Sequence, residues 1–149
     1  MVPGPISQGQ RDAVALITLD RARIDDPLLS LGIALEQAGD YPAAMDVLVA
    51  RWLLLPTDPS GPWNCVAAAR HADTDLFVPL LQVLTAWALI ESGTASGQDD
   101  EWFGNALAFA IDGFLDRGAV VCAAVAARSV TDAGERQDAQ ERIRGLLAR

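Results

Sequence analysis

Apolar residues recur along this chain at spacings of three and four positions, the pattern of helices that bury one face. Val14 and Ile17 show this spacing near the start, and Leu107, Ile111 and Phe114 show it in the second half. The sequence lacks a sustained alternation of apolar and polar residues, which would be typical of half-buried strands. The pattern therefore predicts one all-α domain, over residues 1–149, of about eight short antiparallel helices.

Residues that favour helix ends divide the chain into these elements. Ser7 is a suitable N-cap for a first helix, and Asp25-Asp26-Pro27 combines a cap with a proline near the first helical position of a second. Gly39-Asp40 ends the second helix, and Tyr41-Pro42 begins a third that stops before Pro56. Further helices are predicted over 63–72, 75–92, 99–118, 119–130 and 135–147, with loops at 57–62 and 93–98.

The segment from Asp25 to Asp58 carries a pattern of small and large residues in addition to its periodicity. Gly32 and Ala44 have small side chains and stand on either side of the Gly39-Asp40-Tyr41 turn, so that the flanking helices can approach closely. Large apolar residues are available to fill the space between these helices: Leu28, Leu31, Leu35 and Leu48. This helix–turn–helix pattern of about 34 residues resembles a tetratricopeptide repeat.

The resemblance includes several positions that define the family. Leu31-Gly32 stands at the Leu-Gly pair of the family, Ala44 at the small residue of the second helix, and Pro56 at the closing proline. Two positions depart from the family pattern, because Leu28 replaces the usual tryptophan and Arg51 replaces a small residue late in the second helix. The resemblance implies tetratricopeptide-like hairpins, while a compact helical bundle with one such hairpin stays open as an alternative.

A weaker match to the same pattern covers residues 120–147. There, Gly134 and Ala139 repeat the interval between Gly39 and Ala44. Alanines fit many alignments of this kind, so this second unit is a weaker match than the one over residues 25–58.

The resemblance implies a protein-binding module, since the first helix of each unit in this family lines a groove that receives a peptide or a partner helix. Acidic and apolar residues alternate at the corresponding positions here, which would suit a basic amphipathic partner protein or peptide, or self-association as a homodimer. The alternative is an ordinary amphipathic helix that packs on the first helix. The predicted groove residues are Asp26, Leu29, Ile33, Glu36 and Gln37.

Charge excludes some classes of partner. The chain has 20 acidic and 11 basic residues and a net charge of −9, which disfavours a nucleic-acid partner. The arginines of the C-terminal segment are interleaved with Glu135, Asp138 and Glu141, a pattern typical of a solvated helix face with local ion pairs. No apolar run reaches the ~20 residues that would span a bilayer, and Met1 to Arg11 lacks the features of a signal peptide. We therefore expect no membrane partner and a cytoplasmic location.

Motifs for metal, cofactor or nucleophilic chemistry are scarce. One histidine cannot form a two-histidine metal site, and the sequence has no glycine-rich phosphate loop. Cys65 and Cys122 are isolated and are expected to be small buried side chains. The sequence predicts no metal and no cofactor.

An alternative function is a small helical enzyme or a small-molecule-binding protein, so the sequence leaves enzymatic activity undecided. Its pocket would be built from Trp87, Trp102, Asp112 and His71. A polar stripe that includes Asn105, Asp112 and Asp116 would line it, opposite an apolar face. Four tryptophans in a short chain, with Trp63 expected to be the most exposed, favour an interface or a pocket.

Overall fold

A computed structural model describes residues 6–18, 25–72, 75–91, 99–130 and 132–148. The described residues form eight α-helices and no strand, which confirms the all-α fold class. The helices are α1 (Gln8–Thr18), α2 (Asp25–Gln37), α3 (Tyr41–Leu54), α4 (Ser60–His71), α5 (Phe77–Glu91), α6 (Asp99–Asp116), α7 (Val120–Ala127) and α8 (Ala133–Leu147).

The first helix begins with a reciprocal cap. The Ser7 hydroxyl accepts the backbone N–H of Gln10 at 3.2 Å, and the Gln10 Oε1 atom accepts the backbone N–H of Ser7 at 3.0 Å. This is the capping box, which satisfies two helix-terminal donors at once. The prediction that Ser7 begins α1 is therefore confirmed.

Two helical hairpins share one turn geometry. Gly39 and Gly118 adopt positive φ angles of 82° and 73° after α2 and α6, a conformation that glycine reaches at little cost. The residues that follow, Asp40 and Ala119, have nearly equal dihedral angles of φ −87°, ψ 71° and φ −86°, ψ 68°. Each donates its N–H to the carbonyl five residues earlier, at 3.0 and 2.8 Å. The α2–α3 turn is the one predicted from sequence, and α6–α7 repeats it.

Gly134 does not take the turn position that Gly39 holds in the first hairpin. Gly134 lies in the first turn of α8, and Asp132 caps that helix with an extended backbone of φ −73°, ψ 122°. The Asp132 carboxylate accepts the Glu135 N–H at 2.9 Å, which starts a helix where the alignment required a turn. The hairpin that repeats the α2–α3 turn is therefore α6–α7, while residues 120–147 contain a packed pair of helices, α7 and α8, of which the second includes Gly134.

Helices α3 and α7 form the centre of the fold. All eight residues of α7 are buried, which is expected of a short helix that is apolar on every side. In α3, residues 43–51 are buried, and α3 and α7 pack against each other. Around this pair, α2 and α4 pack on α3, while α6 and α8 pack on α7; α1 contacts both central helices, and α5 packs mainly on α6.

The predicted loop at 57–62 is shorter in the structure, because α4 begins at Ser60 rather than at Trp63. The Asp58 carboxylate accepts the Ser60 N–H at 2.9 Å and the Ser60 hydroxyl at 2.8 Å, which satisfies the backbone donor of the first residue of α4. Pro62 falls in the first turn, where its missing N–H costs little. Trp63 lies on α4 with 76% of its surface exposed, as expected.

Candidate functional site

The residues predicted to line a groove on α2 are divided between core and surface. Leu29 is half-buried and packs against the core, and Glu36 is half-buried. Ile33 is 40% exposed and Gln37 is exposed. The side chain of Asp26 lies outside the described residues. Helix α2 packs on α3 and α1, and Ile33 and Gln37 are exposed on its surface.

The residues predicted to form a small-molecule pocket have separate neighbours. Trp87 on α5 is half-buried against the core. Asp112 on α6 is exposed and accepts a hydrogen bond from Arg142 of α8. The ring of His71, at the end of α4, lies 4.6 Å from the ring of Tyr41 between centroids. The side chain of Trp102 lies outside the described residues.

A buried carboxylate joins the two central helices. Asp46 of α3 is 1% exposed. Its Oδ2 atom accepts the Val121 N–H at 2.9 Å and its Oδ1 atom accepts the Cys122 N–H at 2.9 Å. These are terminal donors of α7, whose N-cap residue Ala119 has no side chain that could accept them. Asp46 therefore caps α7 from another helix, 75 positions earlier in the chain.

The same carboxylate is tied to α1. The Nε2 atom of Gln10 donates to Asp46 Oδ2 at 2.8 Å and to the Gly118 carbonyl at 3.0 Å. Gln10 thus links the capping box of α1 to the turn before α7. Asp46 was not among the sequence-predicted site residues, although a lone carboxylate in the apolar segment 43–50 is a signal that could have identified it.

The hydrogen bonds of Asp46 with Gln10, Val121 and Cys122 hold α1, α3 and α7 together. Burial raises the pKa of the Asp46 carboxyl, while the hydrogen bonds from Gln10, Val121 and Cys122 oppose this rise. The Cys122 thiol donates to the Asp46 carbonyl at 3.2 Å, and burial raises its pKa well above the ordinary value. Burial also raises the pKa of Cys65 to about 12. Thiols held in the protonated form are poor nucleophiles, so neither cysteine is activated for catalysis.

Within the described ranges, no three His, Cys, Asp or Glu side chains converge on a point that could hold a metal ion. In the same ranges, no helix has both the length and the apolar character needed to cross a bilayer.

Among the described residues, the largest group of exposed large apolar side chains lies on α5 and α6. Val78, Leu81 and Phe109 are 52%, 60% and 68% exposed, whereas large apolar side chains of this kind are usually covered. They line a shallow groove of about 620 Å³ whose other lining residues are uncharged. We call this the α5–α6 groove; it is lined by Val78, Leu81, Gln82, Thr85, Asn105, Ala106 and Phe109.

The apolar composition of α5 makes its exposure unusual. Glu91 at its end is the one charged residue of the helix, and a helix that is apolar on all sides is normally buried on all sides. Yet α5 packs on α6 and only slightly on α3. The sequence analysis does not single out Phe109, because it falls within the polar stripe of Asn105, Asp112 and Asp116 rather than on the apolar face of α6.

Comparison with known proteins matches this chain to no protein family, no curated protein and no solved structure.

Proposed function

We propose that this chain is a protein-interaction module built of tetratricopeptide-like helical hairpins, and that it self-associates through the α5–α6 groove. The observation that carries the proposal is the cluster of Val78, Leu81 and Phe109 at more than half exposure on two adjacent helices. Burial of such side chains is the main favourable term in protein association.

The repeated turn supports the hairpin part of the proposal. Gly39 and Gly118 end the first helices of two hairpins whose second helices, α3 and α7, pack together. Helical-repeat modules are assembled from such units, and stacked units leave one helix face of each available for partners. Among the described residues, most of the exposed large apolar side chains lie on α5 and α6.

Charge favours a second copy of the chain as the occupant of the α5–α6 groove. A two-fold axis places the same patch of each subunit against the other, so any charge on the patch faces its own copy. The chain carries a net charge of −9, yet the α5–α6 groove is lined by apolar side chains and neutral Gln82, Thr85 and Asn105. Association through this surface would pair α5 and α6 with their copies as a four-helix bundle.

The α2 face remains a second predicted docking surface, for a basic amphipathic partner. Its exposed members are Ile33 and Gln37. One exposed apolar side chain offers less area to a partner than the three of the α5–α6 groove, so we place self-association on α5 and α6.

Analytical ultracentrifugation at increasing protein concentration tests the proposal. We expect the wild-type chain to form a dimer, and Phe109→Glu and Leu81→Glu to remain monomeric, because each brings two carboxylates together across the two-fold axis. Val66→Glu is the matched control, since Val66 is an exposed apolar residue of α4 outside the groove. Its dimer should be unchanged.

Two results would overturn this assignment. A wild-type chain that stays monomeric at every concentration rules out self-association. A dimer that survives Phe109→Glu but dissociates with Ile33→Glu would move the interface to α2. Circular dichroism of each variant shows whether the fold is retained, so that dissociation is not confused with unfolding.

A further inference from the structure

A second groove, between α1 and α8, combines an apolar floor with a cationic rim. We call it the α1–α8 groove, and its volume is about 510 Å³. Its apolar surface comes from Val14, Ile17, Ala124, Ala127, Ile143 and Leu147. Its polar lining consists of Arg128, Arg136, Gln140 and Arg144. Helix α7 contributes only alanines to the base of the groove, and their side chains are small. A ligand can therefore lie directly against this central helix.

The two ends of this groove differ. At one end, Arg11 of α1 donates a hydrogen bond from Nη1 to the Leu147 carbonyl of α8, which joins the two walls. At the other end α7 finishes at Arg128 and α8 begins. There the Nη1 atom of Arg136 donates to the Val130 carbonyl at 3.1 Å, which positions the guanidinium. Arginines therefore line both ends of the groove: Arg136 lies near the open end, and Arg144 lies one helical turn before Leu147 at the closed end.

Two arginines of α8 lie apart from the acidic residues of the helix that line a cavity. Arg136 and Arg144 line the α1–α8 groove, whereas Glu135 and Asp138 line a different cavity with Arg142 and with Asp112 of α6. The described lining of the α1–α8 groove includes no acidic residue, although the chain has 20 acidic and 11 basic residues. The interior of this groove is thus locally positive on an acidic molecule.

We propose that the α1–α8 groove binds a free amphiphilic carboxylate, a fatty-acid-like anion. Its apolar chain lies on Ala124 and Ala127, and its carboxylate pairs with Arg144 at the rim, while Arg136 adds positive charge near the open end. The planar guanidinium of arginine matches a carboxylate in a two-point hydrogen-bonded pair. The volume falls within the range of about 300–1,000 Å³ of small-ligand sites. The tie between Arg11 and Leu147 blocks one end, which favours a small molecule over a continuous peptide helix.

Binding of three probes as monomers separates the contributions of the head and the chain. Laurate carries both, dodecyltrimethylammonium has the same chain with the opposite charge, and acetate has the head alone. We expect laurate to shift the amide NMR signals of Ala124 and Ala127 and to bind about tenfold or more tightly than the ammonium amphiphile. Acetate should bind too weakly to detect.

Substitutions on one helix provide a matched comparison. Arg144→Gln should weaken laurate binding about tenfold, and Arg136→Gln should weaken it less, because Arg136 lies farther from the carboxylate. Arg142→Gln, on the same helix but paired with Asp112, should leave it unchanged. Ala127→Phe fills the floor and should abolish binding. Because Arg136 also holds Val130, thermal unfolding of that variant is measured in parallel, and Arg144→Gln supplies the test without this contact.

Three results would overturn the proposal. Equal binding of laurate and the ammonium amphiphile removes the role of the arginines. Equal loss with Arg142→Gln and Arg144→Gln places the ligand elsewhere. Binding to anionic phospholipid vesicles without binding of monomeric laurate would indicate a membrane surface rather than a free ligand.

Discussion

At the scale of single residues, Asp46 is the side chain on which the relative placement of α1, α3 and α7 most depends. It accepts three hydrogen bonds in a fully buried position. We expect Asp46→Ala to lower the free energy of unfolding by about 3 kcal/mol or more, because two N–H groups of α7 and the Gln10 amide lose their acceptor. Asp46→Asn should cost about 2 kcal/mol, since its amide NH₂ would face another donor.

Urea unfolding followed by circular dichroism measures these differences. Asp112→Asn is the control, because Asp112 is an exposed carboxylate with a single ion-pair partner, Arg142. Exposed pairs of this kind contribute about 0–1 kcal/mol. An Asp46→Ala variant as stable as the Asp112→Asn variant would show that α7 does not need the cap.

Asp58 gives a pH dependence with a defined sign. Hydrogen bonds from the Ser60 N–H and hydroxyl, with a further contribution from Arg51, lower the pKa of the Asp58 carboxyl below its ordinary value of 3.8. A carboxyl whose pKa is lower in the folded state contributes stability that is complete above the unfolded pKa. That contribution is lost as the pH falls through the folded pKa. The stability difference between wild type and Asp58→Asn should therefore be constant above about pH 5 and shrink below pH 4.

Thermal unfolding of both proteins across this range gives the difference directly. Asp46, whose pKa is raised by burial, contributes the opposite slope, since its stabilisation is lost as the pH rises. It is present in both proteins and cancels in the comparison. A difference that stays constant down to the lowest pH would show that the Asp58 carboxylate gains nothing from its hydrogen bonds with Ser60.

At the scale of helices and turns, the sequence predicts helix caps and turns correctly, because these features depend on interactions between residues that are close in the chain. The capping pair Ser7 and Gln10 and the turn at Gly39 depend on neighbours within a few positions, and the structure has both. Asp46 was missed because its partners lie on α7, beyond any local pattern. The expected ion pairs within α8 are absent among its described residues, where Arg142 instead reaches Asp112 on α6. Tertiary packing decides such contacts.

The close approach of α2 to α3 can be tested with two glycines. A Cβ atom added at Gly32 would lie 2.5 Å from the Leu48 Cδ2 atom, too close for normal packing. We expect Gly32→Ala to cost about 1–3 kcal/mol, because Leu48 is buried in the core and has little room to move. Gly145 of α8 has no atom within 4 Å of its added Cβ. Gly145→Ala should therefore stabilise the chain by about 0.5–1 kcal/mol, as alanine favours the helix.

Chemical denaturation of both variants tests this contrast. If alanine lowers the free energy of unfolding at Gly32 and raises it at Gly145, the hairpin requires a small residue at position 32 for packing. If Gly32→Ala is neutral or stabilising, the helices do not need a small residue at this position, and the physical basis of the tetratricopeptide resemblance is lost.

At the scale of the whole molecule, the arrangement of helices implies that the periphery opens before the centre. Helix α4 packs on α3, whereas α7 packs on α1, α3, α6 and α8. Each carries one buried free cysteine, Cys65 on α4 and Cys122 on α7. Local opening of peripheral elements costs less free energy than global unfolding. We therefore expect Cys65 to be alkylated faster than Cys122 under native conditions.

The dependence on urea distinguishes the two opening events. Burial raises the pKa of both thiols, so labelling by iodoacetamide requires exposure first. Labelling of Cys122 should have the steep urea dependence of global unfolding, and labelling of Cys65 a shallower one, because less surface is exposed when α4 alone detaches. Mass spectrometry of peptides from Cys65→Ser, Cys122→Ser and wild type assigns each rate. Equal rates at every urea concentration would mean that α4 unfolds only together with the central pair.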